Sequence, residues 1–444
     1  MKYLAVLGRQ PEISLAELEA VSDFEWQPNV FRRASGAWQG EDDRAAPVAD
    51  RSRSRADKTL AFCVEATSGG RPERSTGGGD AARERCLVPL DIKRLGGTLK
   101  LAVRLEQVPL EYLRGLPEGK ITLGVSDYSA KASRKTATME ALKLKKILVR
   151  HGRSVRVVEN KEATLSTATS LHNGLSGKNP RKVELIKVEN DWYRVIGVQD
   201  IDAYAKRDQA RPARDARVGM LPPKLAQILI NLCGPLEPGA VVLDPFCGTG
   251  VVLQEVLLMG YRAYGTDLSE RMVEYSEKNL EWLTRDGNSH FEGVRSLARR
   301  GVAPAVRGDG PAGRAPRNDL SHLSVGDATS FHWEQPIDAV ACEGYLGKPF
   351  SRVPSDMELK EQKQECAAIV LGFLKNLAGQ VKVGTPVVIA VPAWLRPDGE
   401  YERMEILDEI SDMGYNVNNK TREGLLYHRD NQVVARDIII LRKN

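Results

Sequence analysis

Three acids, each placed directly after a short apolar run, are the residues of this 444-residue chain best placed to do chemistry. Val241-Val242-Leu243 leads into Asp244, Ala263-Tyr264-Gly265-Thr266 into Asp267, and Leu323 to Val325 through Gly326 into Asp327. Such runs read as buried strands, which gathers the carboxylates at the carboxyl edge of an open α/β sheet, where ligands bind. After the first strand, Asp244-Pro245-Phe246-Cys247-Gly248-Thr249-Gly250 forms a tight glycine turn before the helix-like run Val251 to Leu258. Gly248 and Gly250 let the backbone approach a ligand without Cβ interference. Asp244 offers its carboxylate to an amine or hydroxyl, Asp267 to both hydroxyls of a ribose, and Asp327 to an adenine amino group. A dinucleotide fingerprint would need a third glycine where Leu253 stands, and a strand-end acid has no role beside a pyrophosphate. Three acids after three successive strands suit S-adenosylmethionine, cationic at its methionine end and an adenosine at the other. Phe246, Leu268 and Ala328, next to these acids and the turn, join the cofactor-binding set. Taken singly, each acid reads equally as a strand-end cap or turn residue.

Further strands are expected at Ile337 to Cys342, Pro386 to Val391, Tyr415-Asn416-Val417 and Ile438 to Leu441. A helix-like stretch from Tyr401 to Met413 stops at Gly414, a good residue just past a helix end. Seven strands with interleaved helices resemble the class I methyltransferase fold, an α/β, Rossmann-like, seven-stranded sheet. The long connection from Asn418 to Arg436 would bring the last two strands into an antiparallel edge.

The length suits two or three domains, and a hydrophobic content of 42% is enough for real cores. No apolar run approaches the roughly 18 residues of a membrane span, and Met1 to Leu7 is too short for a signal sequence before Arg9 interrupts it. A cytoplasmic protein is expected. The six cysteines, at 63, 86, 233, 247, 342 and 366, form no C-x-x-C pair, so neither a metal site nor a disulfide framework is suggested. They read as reduced packing residues.

The net charge of +5 is unevenly spread: residues 121 to 217 hold 20 Lys and Arg against 11 Asp and Glu. Within that region Lys143, Lys145, Lys146, Arg150 and Arg153 line an expected helix. Gly177-Lys178-Asn179-Pro180-Arg181-Lys182 makes a basic turn before the strand Val183 to Val188. Each cluster alone reads equally as solvated surface. A basic module joined to a methyl-transfer module, however, points to a nucleic-acid substrate, because phosphate contacts supply affinity that a small-molecule methyltransferase does not need.

The amino-terminal region opens as β-α, with Ser14-Leu15-Ala16-Glu17 as a capping box. Residues 25–87 lose periodicity and carry polar, Gly/Arg-rich runs such as Arg51 to Arg55, which reads as a disordered insertion, as does 286–318. Pattern resumes at Pro89, with an alternating strand at Thr98 to Val103.

The chain resembles the THUMP-domain RNA guanosine N2-methyltransferases, particularly the tRNA guanosine-10 branch and its bacterial relatives. The residues that carry the resemblance are Met1 to Gln10, Arg94-Leu95-Gly96-Gly97-Thr98-Leu99-Lys100, Gly174 to Pro180, Arg211-Pro212-Ala213-Arg214-Asp215, Gly219 to Ala226, and Asp244 to Gly250. Outside the two insertions it covers nearly the whole chain. It implies an N-terminal ferredoxin-like domain over 1–115, a THUMP-like RNA-binding domain over 116–205 and a methyltransferase domain over 206–444. It also implies tRNA as substrate, with Lys178, Arg181, Lys182 and Arg211 on the RNA. The resemblance further points to a small activating subunit as a partner, as serves some eukaryotic relatives.

One motif departs from the family. There the fourth strand leads into D-P-P-Y; here it leads into Glu343-Gly344-Tyr345-Leu346-Gly347. An exocyclic amine is a poor nucleophile because its lone pair is delocalised into the ring. The site must therefore hold the amine by acceptors while the methyl group approaches in line, with an aromatic face under a flipped base. Glu343 and Tyr345 are the candidates for those catalytic roles, and no metal is required. An amino-methyltransferase of DNA shares this fold but does not need the basic half. A non-catalytic RNA-binding protein would account for the altered motif.

Overall fold

The computed structural model describes residues 2–22, 24–27, 62–67, 90–215, 220–284, 321–418, 425–429 and 432–444. The chain divides into two compact units, Met1–Ile201 and Asp202–Asn444.

The first unit is built on one eight-stranded sheet. In chain order its strands are β1 (Lys2–Leu7), β2 (Glu25–Gln27), β3 (Phe62–Thr67), β4 (Thr98–Arg104), β5 (Ile121–Asp127), β6 (Val155–Val157), β7 (Lys182–Val188) and β8 (Asp191–Val198). Their spatial order is β2-β3-β1-β4-β8-β7-β5-β6. Two expectations change here. The tract 25–87 contributes β2 and β3, and β3 pairs with β1 along its whole length, from Lys2↔Thr67 to Leu7↔Phe62. The strand grows from an apolar run, Leu60-Ala61-Phe62-Cys63-Val64, too short to set a period within a polar tract. The rest of the tract lies outside the described residues. In addition, the sheet does not stop at the boundary expected at 115/116, because β4 pairs antiparallel with β8 from beyond it. A buried ion pair crosses the same line: Lys100 Nζ meets Glu184 Oε1 at 2.5 Å and donates to the Leu165 carbonyl at 2.7 Å.

Helices α1 (Pro11–Val21), α2 (Pro109–Arg114), α3 (Arg134–Arg150) and α4 (Thr167–His172) belong to this unit. The start of α3 is fixed by a capping box between Ser133 and Thr136, which satisfies orphan backbone donors at the first turn. Ala137, Ala141, Leu144 and Leu148 recur at helical spacing and are its buried residues. Lys143, Lys146 and Arg150 are left in solvent.

The second unit opens with α5 (Ile201–Gln209, whose first residue closes the first unit) and α6 (Pro223–Leu232), followed by an open sheet. Its strands are β9 (Val241–Asp244), β10 (Arg262–Asp267), β11 (Ser321–Val325), β12 (Ala339–Glu343), β13 (Pro386–Leu395), β14 (Tyr401–Arg403), β15 (Tyr415–Val417), β16 (Leu426–Tyr427) and β17 (Val434–Lys443). The order along the sheet is β11-β10-β9-β12-β13-β17-β15. The first five run parallel, and β17 pairs antiparallel with both β13 and β15. This is a seven-stranded, Rossmann-like sheet with β14 and β16 added at its margins. Helices α7 (Val251–Leu258), α8 (Glu270–Thr284) and a long helix Asp356–Ala378 complete the unit with the short helix Leu407–Asp412. A core cluster with Phe373, Trp394 and Ile439 joins the long helix to the sheet.

Two boundaries differ from the sequence reading. The stretch 401–413 is not one helix: β13 runs on to Leu395, and its extension recruits Tyr401–Arg403 as a strand, with Ala393 opposite Arg403. β17 begins at Val434 rather than Ile438, because Val434 to Asp437 find partners on the same extension of β13. The tract 286–318 lies outside the described residues. Among the described residues no helix is long and apolar enough to cross a membrane.

Candidate active site

The sheet changes direction between β9 and β12. From β9 the chain winds outward through β10 to β11, then returns to place β12 on the other side of β9. At such a switch point the loops leave in opposite directions and open a crevice beyond the carboxyl ends of the two strands. The last residue of β9 is Asp244, and the last residue of β12 is Glu343. The crevice is a cleft of about 1400 Å³, lined by Asp244, Phe246, Gly248, Asp267, Leu268, Asp327, Ala328, Glu343 and Tyr345 among others. It thus brings together every cofactor and catalytic residue read from the sequence except Gly250, which lies directly behind the turn.

The turn after β9 is held by side chains from its back. Gly250 has φ +77°, in the left-handed region, and caps α7 with its own backbone. A Cβ there would lie 2.8 Å from Ser276 Oγ, so the position excludes any side chain on two grounds. Ser276 Oγ donates to the Gly248 carbonyl at 2.9 Å, and Asn279 Nδ2 to the Thr249 carbonyl at 2.8 Å. Both stand on the buried face of α8. Asp267 completes the cradle: its Oδ2 accepts from the Gly248 N–H and its Oδ1 from the Ser269 N–H, each at 2.9 Å. Since an ionised carboxylate offers about four lone-pair directions, two of them remain for a ligand.

The three acids differ in character. Asp244 is 2% exposed and accepts from the Phe246 N–H at 3.2 Å. Burial drives its pKa well above the usual carboxylate range against that hydrogen bond, and the nearby Asp267 and Glu343 add to the rise. A cationic ligand group would reverse this. Asp327 is exposed, and both the N–H and the hydroxyl of Thr329 donate to its Oδ1, which lowers its pKa. It therefore fills the turn role that each acid could have filled alone, while still facing the cleft. Ala328 beside it is buried, Phe246 packs edge-on against Phe373 with ring centroids 5.4 Å apart, and Leu268 is 74% exposed at the rim.

Glu343 has a partner that sequence reading missed. Arg436 Nε of β17 donates to Glu343 Oε1 at 2.6 Å, and the two side chains are 5% and 15% exposed. Burial raises the pKa of Glu343, and the guanidinium opposes that rise. The available signal was an Arg-Asp pair inside the apolar run Val433 to Leu441. Gly344 donates its N–H to the Ala390 carbonyl at 2.9 Å, continuing the ladder of β12 and β13. A proline, as in the family motif, has no N–H to give there. The Tyr345 hydroxyl donates to Glu365 Oε1 of the long helix at 3.2 Å, and its ring is half-buried at the wall.

The basic residues separate into two groups. Lys178, Arg181 and Lys182 are exposed on the turn leading into β7 of the first unit. Arg211 is not available to RNA in the same way: it is 3% exposed, and its Nη2 meets the Met220 sulfur at 3.1 Å. Burial lowers its pKa. The reason is local, since Ala213 is clamped to Asn279 through both its N–H and its carbonyl at 2.9 Å, which draws the whole segment inward. Among the described residues no group of three or more His, Cys, Asp or Glu could hold a metal ion.

A family model described as a DNA methylase, N6_N4_Mtase, matches residues 161–278. A tRNA (guanine(10)-N2)-dimethyltransferase of Methanothermobacter thermautotrophicus is 45% identical over 94 residues, 21% of this chain and 27% of that protein. Over that segment the chain is similar to this tRNA methyltransferase. The matched segment thus spans about a quarter of that relative. The type II methyltransferase M.MwoI of Methanothermobacter wolfeii is 30% identical over 108 residues, 23% of this chain and 16% of that protein. Among solved structures, TrmN from Thermus thermophilus aligns over the full length of both chains with a TM-score of 0.40 and 18% identity.

Proposed function

We propose that the protein is an S-adenosylmethionine-dependent tRNA methyltransferase acting on the exocyclic N2 of a guanosine, with position 10 as the first candidate. The observation that carries this reading is one cleft in which a partly buried strand-end carboxyl, Glu343, shares the lining with Asp244 to Thr249. Its volume exceeds the usual 300–1,000 Å³ of a small-molecule site, which leaves space for a flipped base beside a nucleoside cofactor.

The residues present fit that cofactor. Asp244, with two more carboxyls near it, suits a cationic methionine end; Asp267 retains acceptor capacity for ribose hydroxyls; Asp327, Ala328 and Leu268 stand where an adenine would lie. Bound there, S-adenosylmethionine supplies a methyl group activated on a sulfonium. Glu343 accepts from the guanine amine and turns its lone pair toward that methyl, while Tyr345 supports the base face. Held this way, the N2 amine would lie in line with the methyl group that the cofactor would supply. The proton leaves nitrogen after the transfer, when it is acidic, to water or to Glu343.

On this reading the first unit, ferredoxin-like and THUMP-like, binds tRNA in the cytoplasm, with Lys178, Arg181 and Lys182 on phosphates. The match to a family model described as a DNA methylase keeps DNA amino-methylation as the second reading. Mass spectrometry of nucleosides after incubation with unmodified tRNA, with a DNA duplex in parallel, decides between them. N2-methylguanosine is the expected product; methylated DNA with unmodified tRNA would favour the second reading, and no product on either would favour the non-catalytic binder.

A further inference from the structure

The strand β17 carries a charge that its own stability does not call for. Arg436 is 4% exposed, between Ala435 and Asp437, which are both fully buried. A buried ion pair is on average no better for a fold than apolar side chains of similar volume. The guanidinium nevertheless stands at the cleft, 2.6 Å from one oxygen of the acid that ends β12. We propose that Arg436 is a positioning residue for methyl transfer: it fixes Glu343 through Oε1 and so leaves Oε2 to accept from the target amine. This rests on the functional reading above.

The geometry supports it in two ways. Glu343 has one methylene more than an aspartate and ends its strand with no proline after it, so its side chain needs an external restraint, and the Arg436 Nε–H supplies one with fixed direction. The electrostatics also call for it. Among the described residues, the charged and titratable groups that interact with Glu343 are Arg436 from β17, Asp244 from β9 and Cys342 within β12. Apart from Arg436 these are acidic or neutral, so together with burial they favour the protonated acid, which is a poor acceptor.

The test is single-turnover methylation of unmodified tRNA by the full-length protein, followed from about pH 5 to 9, with cofactor affinity measured by calorimetry. Glu343 must be ionised to act, so its pKa sets the acid limb. Losing the opposing cation raises that pKa. Arg436→Gln should therefore move the acid limb upward by about one pH unit or more, with about tenfold loss below the limb and partial recovery in alkali. Cofactor affinity should stay at the parent's value. Arg436→Lys keeps the charge but not the directed Nε–H, so its limb should remain near the parent's while the rate falls at every pH. A rate for Arg436→Gln that falls equally at all pH values, or does not fall, overturns the proposal. If that variant does not fold, Arg436→Lys decides: a lowered rate with the limb in place supports the role, and a parental rate overturns it. The functional reading fails separately, when the parent itself leaves tRNA unmethylated.

Discussion

Replacing Asp267 by alanine removes three interactions, two of them visible and one implied by the cleft. Oδ2 holds the Gly248 N–H and Oδ1 the Ser269 N–H, both at 2.9 Å, and the remaining lone pairs face the cleft, where a ribose would lie. A hydrogen bond to a charged group contributes about 1.5–3 kcal/mol net, so loss of the ribose contact alone should weaken S-adenosylmethionine binding by roughly 10- to 150-fold. The two backbone anchors add a separate effect. Released from the carboxylate, the Gly248 N–H should exchange with solvent faster, while Ser276 and Asn279 still hold the carbonyl side of the turn. Asp267→Asn separates the contributions, because one amide oxygen can replace only one of the two anchoring acceptors and its NH₂ opposes the other N–H. Isothermal calorimetry reads the affinity, and amide hydrogen exchange reads the turn. A folded Asp267→Ala protein that binds the cofactor with the parent's affinity would refute the assignment, whatever happens at Gly248.

Gly250→Ala should destabilise the second unit by about 1–2 kcal/mol from the left-handed backbone alone, with more from the overlap on Ser276; an unchanged midpoint in thermal denaturation would show that the turn tolerates a Cβ. Neutralising Lys178, Arg181 and Lys182 together should weaken tRNA binding and flatten the slope of log affinity against log salt by up to about three contacts, at roughly 0.7–0.9 each; unchanged slopes would return them to ordinary surface. Glu343→Gln should leave cofactor binding nearly intact and lower the single-turnover rate by about tenfold to a thousandfold. Glu343→Asp keeps the charge but stretches the 2.6 Å link to Arg436 and should lower the rate less; full parental activity in Glu343→Gln would exclude the acid from the reaction.

The sequence by itself determined the strand-turn-helix at Val241 to Leu258, the acids at the ends of β9 and β10, Asp327 after β11, and the parallel core of the second unit. These follow from neighbours in the chain: apolar runs of strand length, glycines where a turn requires left-handed backbone, and an acid where a buried run ends. It also located the basic turn at 178–182, since exposure of short charged runs needs no knowledge of the fold. Long-range choices were decided elsewhere. Arg436 and Glu343 are 93 residues apart, and they meet because β13 lies between β12 and β17 and runs far enough to pair with the start of β17. β3 is an isolated apolar segment in a polar tract, and only an available edge of β1 makes it a strand. Arg211 looks like any exposed arginine until Asn279 clamps Ala213 and turns it inward. Local pattern specifies which surfaces must be buried, whereas the partner that buries them depends on which distant strand edges and helix faces remain open once the sheet has formed.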